Sequence, residues 1–237
     1  MSPAAWLILG AVVVAGSAVQ GAIGFGLNVV VAPIAALINP DLVPATLILL
    51  GVVHTTMLAW SERRNLRLDD VRWVVIGRVP GVAAGVWILT IVTRESTQVL
   101  FGLMLLGVIA ISMYRGGIPR NPATLSAAGI VSGITGTTVA VGGPPVALVL
   151  AGDASSLRSN LAALNLITTL MTMGGLWLGG HLAVHDTSVA ARLLPALIGG
   201  FGLSRLLIGH LDRDRTITAV YAISVAAAVA LLVKGLA

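Results

Sequence analysis

The chain contains no cysteine, and only nine of its 237 residues are acidic. The first absence excludes disulfides, thiol chemistry and thiolate metal sites. Charge of either sign is scarce: 10% of residues are charged against 57% hydrophobic. That balance excludes a soluble domain, in which about a quarter of residues carry charge, and with a mean hydropathy of +1.00 it makes lipid the main solvent of the surface. The acids, Asp41, Glu62, Asp69, Asp70, Glu95, Asp153, Asp186, Asp212 and Asp214, all fall in loops or at helix ends. Sodium- and proton-coupled carriers often hold an Asp or Glu at mid-membrane, so a cation site of that type is not expected. The net charge of +5 comes from 14 basic residues. They sit mostly in short loops, where they signal topology and not a nucleic-acid surface.

Against this apolar background stand two glycine-rich stretches 112 residues apart. One runs Gly21-Ala22-Ile23-Gly24-Phe25-Gly26-Leu27-Asn28 and on to Pro33; the other runs Gly133-Ile134-Thr135-Gly136-Thr137-Thr138 and on to Gly142-Gly143-Pro144-Pro145. Gly21 falls on Gly133, Gly24 on Gly136, and Pro33 on Pro145. Glycine and proline open the backbone, and inside a bilayer an open backbone survives only where protein buries it or it lines a cavity. Matched breaks in two halves point to a transporter's binding site. Weaker echoes extend the repeat: Asp41 with Asp153, Thr55-Thr56 with Thr168-Thr169, and Pro80 with Pro195.

Spanning helices of about 20 apolar residues are expected near 43–60, 71–92, 98–113, 160–178, 188–208 and 217–233. Residues 4–38 and 123–151 are each interrupted by a glycine cluster and are read as helical hairpins, re-entrant or thinly spanning. The run from Ala4 to Val19 lacks a basic leader and continues into apolar sequence, so it is read as retained and not as a signal peptide. If both broken regions are hairpins, Arg63, Arg64, Arg67, Arg72, Arg115, Arg120, Arg158, Arg213 and Arg215 share one face, with Arg94 and Lys234 opposite; single crossings split them seven against four. The nine-to-two partition obeys the positive-inside rule better. The expectation is an all-α polytopic membrane protein of two inverted repeats, residues 1–117 and 118–237. Each is a broken hairpin followed by three transmembrane helices. The expected location is the bacterial cytoplasmic (inner) membrane, with both termini periplasmic.

Gly21-Ala22-Ile23-Gly24-Phe25-Gly26 leading to Ala32-Pro33, and Val131-Ser132-Gly133-Ile134-Thr135-Gly136 leading to Gly142-Gly143-Pro144-Pro145, resemble the duplicated signature of the TauE/SafE family of membrane proteins. The resemblance covers nearly the whole chain. It departs where Leu27-Asn28 and Thr137-Thr138 stand in place of the further glycines some members carry. It implies export of a small inorganic or organosulfur anion such as sulfite or sulfoacetate.

The residues themselves suit an anion. Donors would be backbone N–H groups freed at half-helix N-termini, where the macrodipole adds partial positive charge. Glycine keeps no Cβ between backbone and ligand, and the prolines limit where helices resume. Thr137 and Thr138 would add hydroxyls, and Asn28 an amide. His54, deep in its span beside Thr55, reads equally as an anion or proton ligand and as a neutral histidine bonded to the next helix. Asn165, at a similar depth in the second half, is either its counterpart or interhelical glue. The candidate substrate-binding set is therefore Gly24, Phe25, Gly26, Asn28, Pro33, His54, Thr55, Gly136, Thr137, Thr138, Gly142, Gly143, Pro144, Pro145 and Asn165.

Gly16, Gly102, Gly107, Gly174, Gly175, Gly199 and Gly200 are read as packing residues. Arg78, Arg192 and Arg205 are read as snorkelling to the interface, with a positive vestibule at Arg78 or Arg205 as the other reading. The five tryptophans are read as interfacial anchors. His181 and His185 with Asp186 lack a third ligand at helical spacing, so no metal site is assigned; no cofactor is implied. Without a Ser/His/Asp set or paired carboxylates at membrane depth, the chain is not read as an enzyme. A secondary transporter working by alternating access is the leading function, and a channel-like anion pore or a carrier of another small anion in the same family is the alternative. Protons are a candidate coupling ion, and a homodimer is compatible with the sequence.

Overall fold

The computed structural model describes residues 1–62, 71–113, 118–150, 154–207 and 213–236. Ten α-helices carry the described chain: α1 (Pro3–Ile23), α2 (Leu27–Ile38), α3 (Ala45–Ser61), α4 (Val71–Ile91), α5 (Arg94–Met113), α6 (Pro122–Thr138), α7 (Gly143–Val149), α8 (Ala154–Leu178), α9 (Val184–Leu207) and α10 (Arg213–Leu236). A short 3-10 turn, Pro40–Leu42, precedes α3. No strand occurs among the described residues.

Six segments are long and apolar enough to cross a bilayer: Pro3–Ile23, Pro40–Ser61, Val71–Ile91, Ser159–Leu178, Val184–Leu207 and Arg215–Leu236. This set differs from the anticipated spans in one member. The first arm of the first broken region is long enough by itself, and the expected 98–113 span lies within α5, 20 residues long, whose side chains are described over only part of that length. Large apolar side chains such as Leu7, Trp60, Trp87, Trp177 and Leu178 lie exposed on the outer surface, as expected where lipid and not water is the neighbour. The arginines of the positive-inside count at 63, 64, 67 and 115, together with Asp69, Asp70, Asp153 and Asp212, lie outside the described residues, as do the side chains of Arg94, Glu95, Arg158, Arg213 and Asp214.

Both broken regions fold back on themselves. A Cβ on Gly16 of α1 would lie 2.9 Å from the Leu27 carbonyl and 3.0 Å from Val31 Cγ2 of α2, so α2 returns along α1. In the second region the Ser132 hydroxyl donates to the Gly142 carbonyl, and the Val141 N–H reaches Thr135 O at 3.3 Å.

The pairing of helices follows a two-fold exchange of halves. Helix α1 packs on α9 and α6 on α4; α2 packs on α10 and α7 on α5; α3 meets α8, and α5 meets α10. In the α4–α6 pair, Gly77 meets Ser126, Gly81 meets Gly133 and Gly85 meets Thr137, so these two helices run in the same direction. In the α1–α9 pair, Gly200 meets Val14 and Gly21 meets Ser204, again in the same direction. Backbones come this close because Gly77, Gly81 and Gly85 recur every four residues on one face of α4 and meet Gly129 and Gly133 of α6. Of the glycines expected to pack, Gly16, Gly102, Gly175 and Gly200 do so, while Gly107, Gly174 and Gly199 face open space.

Candidate functional site

The two breaks are built differently. In the first, α1 ends at Gly24 (φ 99°) and α2 starts after Gly26 (φ 126°). Both angles lie in the left-handed region that only glycine enters cheaply. The Gln20 side chain bridges the gap, its Oε1 accepting from the Leu27 N–H at 2.9 Å. In the second, the helix runs past Gly136 to Thr138 and opens over Val139–Gly142, with Ala140 at φ 60°. Pro144 and Pro145 sit in the first turn of α7, where a missing N–H costs nothing.

Gly136 is therefore helical, and its N–H is not freed by the break. Its lack of a side chain serves space instead: a Cβ there would lie 2.6 Å from Nη2 of Arg78. Arg78 comes from α4 and is buried, 3% exposed. Its Nε donates to Thr168 O at 3.2 Å and its Nη2 to Thr172 Oγ1 at 2.9 Å, and its Nη1 donates to the Ser132 hydroxyl. The snorkelling expected of Arg78 is thus overturned. Gly136 on α6 and Gly142 just before α7 leave a space that the guanidinium enters, and three oxygens hold it there. Arg205 does lie toward a helix end, its Nη1 3.5 Å from Glu62 Oε1 and its guanidinium over Phe201.

A cavity of about 50 Å³ lies between the two breaks, room for a few water-sized groups. Phe25, Gly26, Leu27, Asn28 and Val29 line it from the first break, and Ala140, Val141, Gly142, Gly143 and Pro144 from the second. Helix α3 adds Ile48, Gly51 and Thr55, α8 adds Asn165, Thr168 and Thr169, and Gln20, Arg78 and Gly136 complete the wall. No carboxylate is among these residues. Two amides tie the halves across it: Asn28 Nδ2 donates to Ala140 O at 3.0 Å, and Asn165 Nδ2 to Gly24 O at 3.1 Å.

Nine of the fifteen candidate residues named from sequence line the cavity: Phe25, Gly26, Asn28, Thr55, Gly136, Gly142, Gly143, Pro144 and Asn165. Gly24 touches it only through its carbonyl bond to Asn165. Pro33 borders a separate apolar cavity with Phe101 and Leu105. His54 is wholly buried with Nε2 3.1 Å from Ser17 O and its ring edge-on to Phe201, facing α1 and α9. Thr137 packs against Gly85, and the Thr138 hydroxyl donates to Ile134 O at 2.8 Å. Pro145 is buried in α7 outside the lining. Sequence reasoning omitted Gln20, Thr168 and Arg78 from the set. The available signal for Arg78 was its place beside the Gly77, Gly81, Gly85 face, which marks the side of α4 that packs closely.

Chemically, the site sets one buried guanidinium among neutral oxygens and backbone, without an acid to balance it. A buried charge is costly unless paired, so the arrangement favours an anionic guest. Among the described residues no three His, Cys, Asp or Glu side chains are grouped to hold a metal ion.

A protein-family model described as "Sulfite exporter TauE/SafE" matches residues 8–231. No curated protein and no solved structure matches the chain.

Proposed function

We propose, from the premise that the chain belongs to the sulfite exporter TauE/SafE family, that it exports a small sulfur oxyanion or sulfonate held between the two helix breaks. Membership makes it a multi-pass membrane transporter. The observation that carries the finer reading is Arg78, buried at the cavity wall where no carboxylate stands. The anion would be its missing counter-charge, and the first-turn N–H groups of Asn28 and Val29 in α2, which have no intrahelical partner, would add donors on the opposite side.

Carriage would proceed by alternating access of two inverted repeats about this site. The two-fold pattern of helix pairing supports the repeats. So does direction: α1 runs alongside α9 and α6 alongside α4. Consecutive α3 and α4 place Ala45 and Leu89 around one cavity, so they run oppositely. Both termini are assigned to the periplasmic face of a bacterial inner membrane. The chain lacks cysteine, so single cysteines in the 61–70 loop and after Lys234 can be labelled cleanly. They should react from opposite faces, and labelling of both from one face refutes the assignment.

Purified protein in liposomes should carry sulfite in a saturable manner, and an imposed proton gradient tests coupling. Gly24→Leu and Gly136→Leu should each abolish transport while the protein still inserts. Full transport by these variants would sink the site assignment, and flux that never saturates would favour a pore.

A further inference from the structure

Attraction of an anion to Arg78 leaves one feature of the cavity unused. Asn28 lines the cavity from the first turn of α2, and its amide can sit in only one orientation. Its Nδ2 donates to Ala140 O at 3.0 Å, and a carbonyl can only accept. The other amide atom, Oδ1, is then buried and has no partner among the described residues. A buried acceptor left unsatisfied is expensive, and here the orphan belongs to a residue of the cavity wall.

Four neighbouring polar atoms are already committed. Gln20 Oε1 is taken by the Leu27 N–H, the Thr55 hydroxyl by Gly51 O, the Thr168 hydroxyl by Asn165 O, and Asn165 Nδ2 by Gly24 O. Among the described residues, Arg78 is the one titratable side chain in the lining. His54, the residue before Thr55, turns its ring to Ser17 and Phe201 instead. The cavity thus offers a single positive charge and an acceptor that needs a donor.

Resting on the anion-carrier reading above, we propose that the site selects a singly charged sulfur oxyanion that brings a hydrogen-bond donor of its own, the class to which hydrogensulfite and hydroxysulfonates belong. Arg78 balances the charge, and Asn28 Oδ1 accepts the ligand's O–H. A monoanion without a donor leaves Oδ1 desolvated against its own lone pairs. A dianion leaves one charge uncompensated in a medium of low dielectric.

The test is calorimetric titration of the purified full-length chain, at one pH below the second dissociation of sulfurous acid, with hydrogensulfite, hydroxymethanesulfonate, methanesulfonate and sulfate. Hydroxymethanesulfonate should bind about fivefold more tightly than methanesulfonate, the worth of one hydrogen bond. Sulfate should bind weaker than either by about tenfold or more. Asn28→Leu should erase the first difference and keep the second. Because Asn28 also ties the two breaks together, the wild-type series stands as a test by itself if that variant does not fold. Equal binding of the two sulfonates by wild type, or tightest binding of sulfate, overturns the inference and leaves an anion carrier. Failure of all four to bind overturns the carrier reading with it.

Discussion

The two helix breaks descend from similar stretches of sequence, yet they solve the problem of an open backbone by different means. At the first break Gly24 and Gly26 take left-handed angles and Gln20 caps the exposed Leu27 N–H. At the second, Thr135, Gly136 and Thr137 stay helical, the opening moves on to Val139–Gly142, and Ala140 takes the left-handed angle. Ser132, 112 residues after Gln20, joins the Gly142 carbonyl to the guanidinium of Arg78. The first break supplies backbone geometry, and the second seats the charge that α4 brings. The two breaks are matched in sequence but divided in labour.

That division can be broken most forcefully at Arg78. Arg78→Met should lower sulfite affinity about a hundredfold, the usual consequence of removing one partner of a desolvated charge pair. Uptake into liposomes and binding to purified protein both read it, and unchanged affinity would remove the charge from the second break. The glycines come next. Gly136→Ala places a methyl 2.6 Å from Arg78 Nη2 and should weaken binding about tenfold through displacement of the guanidinium. Gly24→Ala meets a φ of 99° and should cost about 1–2 kcal/mol of stability, a larger change in unfolding temperature than in affinity. The reverse ranking of these two variants would contradict the contrast drawn above.

Smaller effects sharpen the same contrast. Gln20→Leu leaves the Leu27 N–H unpaired and should destabilise by about 1–3 kcal/mol in thermal unfolding. Ser132→Ala should show mainly in binding, since it releases Arg78 Nη1. The smallest effect has the opposite sign. Ala140→Gly relieves a left-handed alanine and should leave stability unchanged or raise it by up to about 1 kcal/mol, strain relief being partly offset by glycine's greater freedom when unfolded.

Much of the helical architecture was legible because membrane segments announce themselves by length and apolarity, and breaks by glycine and proline. Less of the site was legible, for reasons visible at particular residues. Arg78 lies near a helix end in the sequence, and depth alone suggested an interfacial cation. The glycine face of α4 marks the side that packs closely, but the room for the guanidinium is left by Gly136 on the partner helix. His54 has the depth of a ligand but not the direction. Successive residues on a helix point about 100° apart, so Thr55 reaches the cavity wall while His54 faces α1 and α9. Gly107, Gly174 and Gly199 resemble the packing glycines in composition, yet they meet nothing within 4 Å.

Composition and spacing alone make the chain a helical membrane protein, open its backbone in two places, and keep its nine acids outside the expected spans. These are properties of composition and spacing, and lipid enforces them on any fold the chain adopts, because unpaired backbone and charge are costly there. What faces the cavity between the openings depends instead on how the helices pack. Helical phase and the approach of α4 to α6 bring Arg78 from one half against Gly136 and Ser132 of the other. Contacts so distant along the chain are set by packing and not by local pattern.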